Sequence, residues 1–205
     1  MIAFLFPGQG SQYAGMGKDL AENFPLARQV FEEANDALGI DLATLCFNGP
    51  EADLKLTANT QPAILTTSVA ALRVLQSETG IVPHYAAGHS LGEYSALHAA
   101  GVVSAEDAIR LVHKRGELMH REAIKNKGAM SALLGLTIDV VEEIVERGRE
   151  RGVVSVANHN TAQQIVITGE PAAGVPLWLL RGLKRLFDPT GKLARPDWLG
   201  EARYG

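Results

Sequence analysis

The spacing of apolar residues changes several times along this chain, and each change marks an element. Residues 2–6 (I-A-F-L-F) form a short apolar run closed by Pro7-Gly8, the pattern of a buried strand feeding a loop. Pro25 stands where a helix would begin. The following L-A-R-Q-V-F-E-E-A-N-D-A-L repeats its apolar positions at helical spacing until Gly39 ends it. Asn59-Thr60 precede Pro62 and a long run, A-I-L-T-T-S-V-A-A-L-R-V-L, which predicts a buried helix closing at Gly80. Residues 84–87 predict a brief strand and residues 91–100 a helix of small residues. Ser104 with Asp107 forms a capping box that opens a helix from residue 105 to about residue 122.

After Lys127-Gly128 the rhythm changes. A-M-S-A-L-L-G reads as a strand, I-D-V-V-E-E-I-V-E-R-G-R-E-R as an amphipathic helix, and V-V-S-V-A and Q-Q-I-V-I-T-G as two more strands, with His159 in the loop between them. This β-α-β-β order opens a split βαβ arrangement, which a further helix and strand would complete. Their place is taken by V-P-L-W-L-L-R-G-L-K-R-L-F and a Pro-containing stretch. Leu179, Leu180, Leu183, Leu186 and Phe187 share one helical face, so residues 176–187 are expected to be helical and to pack imperfectly where the second helix would lie. Residues 188–205 are expected to be extended.

Charge sharpens that boundary. Residues 1–173 hold 13 Lys+Arg against 20 Asp+Glu, whereas residues 174–205 hold six against three and carry both tryptophans. The whole chain of 205 residues is 46% hydrophobic with a net charge of −4, which suits a globular core and implies no attraction to nucleic acid or an anionic membrane. Cys46 is the one cysteine, so no internal disulfide exists and a cytoplasmic location is expected. The opening M-I-A-F-L-F-P-G-Q-G is short for a signal peptide and lacks a basic start. No uncharged apolar run reaches the ~20 residues of a membrane helix.

The chemistry sits in two glycine-rich turns. Residues 88–92, G-H-S-L-G, lie between a strand pattern and a helix pattern, the context of a nucleophile elbow that presents Ser90 on a sharp turn. The helix behind it directs its positive end at the elbow. Residues 6–12, F-P-G-Q-G-S-Q, place two glycines after the first strand, so the backbone there can approach a ligand and aim an N–H at it. Paired loops at the C-terminal ends of neighbouring strands are where an open α/β sheet builds its site. A serine hydroxyl needs a base and oxyanion donors to act as a nucleophile, so the pairing points to acyl transfer through serine.

These segments, with T-Q-P-A at 60–63, G-H-S-L-G-E-Y-S-A-L at 88–97, R-L-V-x-x-R-G at 110–116 and Q-Q-I-V-I-T-G at 163–169, resemble the malonyl-CoA:acyl carrier protein transacylases of fatty-acid synthesis and the acyltransferase domains of polyketide synthases. The resemblance covers residues 1 to about 172. It implies an α/β fold: an α/β-hydrolase-like acyltransferase core over residues 1–127, an incomplete ferredoxin-like subdomain over 128–173, and a tail over 174–205 outside the family. It implies ping-pong transfer with Ser90 as nucleophile, an oxyanion hole from the N–H groups of Gln9 and Leu91, and Arg115 holding the malonyl carboxylate. A planar guanidinium makes paired hydrogen bonds to a carboxylate that lysine cannot reproduce. No bound cofactor and no metal are implied. The substrate would be malonyl-CoA, the acceptor the phosphopantetheine of an acyl carrier protein, and the protein a monomer.

The other candidate groups read as structural. Arg110 belongs on the surface, His89 positions the elbow, His98 lies in the wall of the following helix, and His113 and His120 are satisfied or solvated. His159, between Asn158 and Asn160, lies near the family's substrate-side asparagine position and stays open. The family's general base is a histidine in a downstream P-x-H-S-type segment, and no histidine follows His159. The tail L-K-R-L-F-D-P-T-G-K-L-A-R-P resembles instead the closing segment of flavin-linked glycolate-oxidase-type proteins, without implying flavin binding. The expectation is a truncated transferase of impaired turnover. Two alternatives stay open: a remnant that binds acyl-CoA or carrier protein without turnover, and a serine hydrolase.

Overall fold

The computed structural model describes residues 1–126 and 128–170. The readings of a helix over 176–187 and an extended end over 188–205 therefore fall outside the described residues, as does the boundary at 173. The chain separates into two compact units between Lys125 and Asn126.

The first unit is a helical layer on a small parallel sheet. Strand β1 (Ala3–Phe6) pairs with β2 (Tyr85–Gly88) in the register Ala3↔Tyr85 to Phe6↔Gly88. Between them in sequence come α1 (Lys18–Asn23), α2 (Pro25–Leu38), α3 (Leu42–Asn48), α4 (Glu51–Leu54) and α5 (Thr57–Thr79). After β2 follow α6 (Gly92–Ala99) and α7 (Ala105–Lys125). Helix α2 starts on Pro25 and stops at Gly39, whose φ of 66° is the left-handed conformation that ends a helix without a Cβ penalty. Asp41 caps α3 by accepting from the Thr44 N–H at 3.0 Å, and hydrogen bonding from the Thr44 side chain, then from its backbone, holds the Asp41 carboxyl below the usual value. Ser104 accepts from the Asp107 N–H at 3.0 Å and donates to the Asp107 carboxylate at 2.7 Å, closing the N-terminus of α7.

Helix α5 forms the centre of this unit. Gln61, Ala63, Leu65, Val69 and Ala70 are buried along it, so it is enclosed on most of its circumference and packs against α2 and α7. Its start departs from the sequence reading. Pro62 lies inside the helix, which begins five residues earlier because Thr60 Oγ1 donates to the Leu54 carbonyl and Asn59 Nδ2 to the Asp53 carbonyl. Those side-chain bonds hold the turn upstream of the proline, which stands sixth in the helix and cannot donate the usual bond to the Ala58 carbonyl. Phe31 of α2 and Phe47 of α3 meet edge to face with centroids 4.7 Å apart. Cys46 is fully enclosed in the same core, and burial pushes its thiol up to about 12, so it carries no nucleophilic thiolate near neutral pH.

Strand β1 also departs from its reading as a buried strand. Register places Ala3, Leu5, Tyr85 and Ala87 on one face, and that face is exposed, with Leu5 79% and Tyr85 60% accessible. Phe4 and Phe6 on the opposite face are half-buried. A groove of about 430 Å³ runs beside β1 and α5, bordered by Phe4, Phe6, Thr67, Leu72 and Leu75.

The second unit contains β3 (Ala129–Leu134), α8 (Ile138–Arg149), β4 (Val154–Thr161) and β5 (Gln164–Gly169), in an antiparallel sheet of order β3-β5-β4. Helix α8 contributes Val141 and Val145 to a core with Leu133, Val154, Ile165 and Ile167. Alternation along β5 turns Ile165 and Ile167 inward together. His159, read from sequence as a loop residue, belongs to β4. That strand runs on to Thr161 through two irregularities in its pairing with β5, leaving only Ala162 and Gln163 to make the turn. No described helix is long and apolar enough to cross a membrane.

Two substitutions separate the enclosed layer from the open strand face. Phe31→Ala, at 1% exposure, should cost ~3–5 kcal/mol in a denaturant melt through lost transfer energy and a residual cavity. Leu5→Ser should change stability by no more than ~0.5 kcal/mol, as an exposed site does. A large loss at Leu5 would mean that this face is covered in solution.

Candidate active site

Strand β2 ends at Gly88, and α6 begins four residues later at Gly92. The chain turns that tightly only because side chains are absent. A Cβ on Gly88 would fall 1.9 Å from the carbonyl carbon of Gly92, and one on Gly92 would fall 2.4 Å from the carbonyl oxygen of Phe6. Between them Ser90 adopts φ 55°, the one left-handed non-glycine among the described residues. That conformation costs of order 1–3 kcal/mol and persists because the surroundings fix it. The bonds that do so run from the Gly92 N–H to the His89 carbonyl at 3.0 Å and from the His89 N–H to the Phe6 carbonyl at 3.1 Å.

The same contacts bring the first glycine-rich loop against the elbow. A Cβ on Gly8 would lie 2.6 Å from the His89 carbonyl oxygen and 2.7 Å from its Nδ1, so only glycine permits this approach. The loop is shaped by its own side chains. Ser11 Oγ donates to the Gly8 carbonyl at 2.9 Å, and the Gly10 N–H donates to Gln12 Oε1 at 2.8 Å. Gln9 is exposed, and its amide reaches Thr57 Oγ1 at the start of α5, at 3.3 Å. Leu91 is fully buried behind the serine. Among the described residues, the backbone N–H groups of Gln9 and Leu91 meet no acceptor. Two unspent donors on loops that touch at Ser90 are the kind of groups that receive an oxyanion.

Arg115 of α7 reaches the same point. Its Nη2 donates to Ser90 Oγ at 2.9 Å, and its Nη1 donates to Oε1 of Gln61 at 2.7 Å. The route for it is again a glycine: at Gly116 a Cβ would fall 2.7 Å from the Thr57 carbonyl oxygen, so α7 lies directly on the first turn of α5. Gln61 is part of the T-Q-P-A motif, but the sequence assigns it no role. A glutamine inside an apolar helix run carries no signal of its partner, and only the packing of α5 on α7 reveals it.

Of the remaining candidates in the first unit, Arg110 pairs with Glu106 at 2.8 Å on the surface. His98 Nδ1 lies 3.0 Å from the Val103 carbonyl, and His113 Nε2 lies 3.5 Å from Glu117. Neither ring is bonded to Ser90. His120 is half-buried on α7, and His159 belongs to the separate second unit.

The chain can be set beside known proteins on this geometry. A family model described as an acyl transferase domain matches residues 3–175. The malonyl CoA-acyl carrier protein transacylase of Bacillus subtilis (strain 168) is 50% identical over 177 residues, 86% of this chain and 55% of that protein. The crystal structure of a malonyl CoA-acyl carrier protein transacylase from Clostridium perfringens superposes with a TM-score of 0.80 at 44% identity, covering 93% of this chain and 58% of that one. A malonyl-transacylase solved in complex with its type II PKS acyl-carrier protein aligns at 49% identity and a TM-score of 0.76, over 84% of this chain and 56% of that one. This chain thus spans a little over half the length of these relatives. A match that takes in β1, the elbow, α7 and the small sheet in one alignment means that this chain belongs to the acyl transferase domain family.

Proposed function

We propose that this chain carries the nucleophile-bearing part of a malonyl-CoA:acyl carrier protein transacylase of fatty-acid synthesis. Ser90 Oγ attacks the thioester carbonyl carbon of malonyl-CoA and gives up its proton to a base. The carbonyl oxygen takes the negative charge and is received by the N–H groups of Gln9 and Leu91. The C–S bond then breaks, coenzyme A leaves as its thiol on taking a proton, and the malonyl group remains as an ester on Ser90. The phosphopantetheine thiol of an acyl carrier protein attacks that ester in turn, and the serine regains its proton. The relative solved with its acyl-carrier protein supports this acceptor.

The observation that carries the reading is the guanidinium of Arg115 on the nucleophile itself, 2.9 Å from Ser90 Oγ. An acyl group esterified to that oxygen brings a terminal carboxylate within the reach of the same guanidinium, which has five N–H donors and spends two of them here. A simple esterase has no use for a fixed cation at this position, which favours a carboxylated acyl group over the serine-hydrolase alternative. The remnant alternative rests on the base. Arg115 only donates to Ser90, and among the described residues no group accepts the serine proton.

Incubation of the full chain with malonyl-CoA, followed by intact mass and peptide mapping, should place a malonyl group on Ser90, and Ser90→Ala should abolish it. An adduct on another residue, or one that survives Ser90→Ala, sinks the assignment. Steady-state transfer to holo carrier protein by this chain alone should run ~10²–10⁴-fold below that of a full-length relative, the usual contribution of a general base. Transfer at the relative's own rate would require a base among the residues present. Arg115→Ala should lower the preference for malonyl-CoA over acetyl-CoA about 10- to 100-fold, the effect of losing a charge-assisted pair. Lysine at the same position should recover only part of it.

A further inference from the structure

Gln61 is fully buried, yet both ends of its amide are engaged across the α5–α7 contact. Oε1 accepts from Arg115 Nη1 at 2.7 Å, while Nε2 lies 3.2 Å from the sulfur of Met119. Arg115 and Met119 are four residues apart on α7, so they straddle the amide from one helix face. A guanidinium has no acceptor and a thioether no donor, so only one orientation of the amide satisfies both neighbours. Gly116 enforces the contact. Its missing side chain allows α7 against the Thr57 carbonyl oxygen and Ala58 Cα, one turn before Gln61 on α5. The guanidinium is therefore aimed by a rigid, buried partner and does not swing from a free helix surface.

The chemical identity of that partner matters as much as its position. A buried carboxylate would also hold Arg115, but it would cancel the guanidinium charge and occupy its paired donors. A neutral amide oxygen takes one N–H and leaves the full positive charge for a ligand. We propose that Gln61 is the positioning residue that makes the site selective for carboxylated acyl groups, by fixing Arg115 without neutralising it. This rests on the reading of Arg115 as the acyl-carboxylate clamp.

The test uses the full chain with Gln61→Glu and the near-isosteric, non-accepting Gln61→Met, each checked for a native melting profile. Rates of Ser90 acylation are read from malonyl-CoA and from acetyl-CoA. Gln61→Glu should lower the malonyl-to-acetyl ratio by about 10-fold or more through the malonyl rate, since a second anion now competes for the guanidinium. Gln61→Met keeps the charge but frees the side chain, and should lower the ratio about 3- to 10-fold. A purely structural role would lower both rates together and leave the ratio alone. An unchanged ratio in either folded variant overturns the proposal, and if Gln61→Glu does not fold, Gln61→Met decides.

Calorimetric titration with free malonate separates this proposal from the reading it rests on. If wild type binds malonate but is not acylated by malonyl-CoA, the transacylase reading fails. Weaker malonate binding by the folded variants then still supports the role of Gln61. Equal malonate binding by wild type and variants, or none by wild type, overturns it.

Discussion

A serine in a left-handed backbone conformation is unfavourable in isolation, and the first unit is arranged around holding one. Ser90 stays at φ 55° because the end of β2, the start of α6 and the end of β1 occupy almost the same space, with glycine at each place where a Cβ would collide. Gly88, Gly92 and Gly8 are therefore needed for close packing more than for flexibility. Each marks where two backbones meet, and together they bring the strand ends and both loops to one oxygen atom. The strain is local and the compensation is spread over the surrounding packing.

The second constraint is the approach of α7 to α5. Helix α5 is enclosed enough to act as a fixed reference, and α7 meets its first turn at Gly116. The turn that α5 gains upstream of Pro62 thus has a consequence for the site. It supplies the Thr57 carbonyl against which α7 rests and the hydroxyl that the Gln9 amide reaches. A helix start set by two side-chain bonds to α4 is in this way connected to the placement of the Arg115 guanidinium on Ser90.

Much of this was legible in the chain. The order of the longer elements follows from period and punctuation: Pro25 and Gly39 bound α2, Ser104 and Asp107 open α7, and alternation marks the strands of the second unit, whereas the short helices α1, α3 and α4 carry no such periodic signal. The misreadings share one cause, which is that local signals do not contain their long-range partners. Pro62 looked like a helix start because the bonds from Thr60 and Asn59 to α4 are tertiary. His159 looked like a loop residue because polar Asn and His carry weak strand propensity, and pairing with β5 overrides it. Leu5 looked buried because an apolar run does not state how many of its faces are covered.

Sequence by itself marked the elbow around Ser90 and the glycine loop at residues 6–12, because each is a short motif whose residue types are dictated by local backbone geometry, and it singled out Arg115 only through the resemblance to a family. It also determined the family, since several such motifs occur in order over most of the chain. Tertiary structure alone decided that Arg115 meets Ser90 and that Gln61 holds it, over separations of 25 and 54 residues. The reason is physical. A hydrogen bond between helices depends on how closely two backbones pack, and that distance is set by a missing Cβ at Gly116 and by the bonds that start α5, none of which changes the appearance of a buried glutamine in a helix.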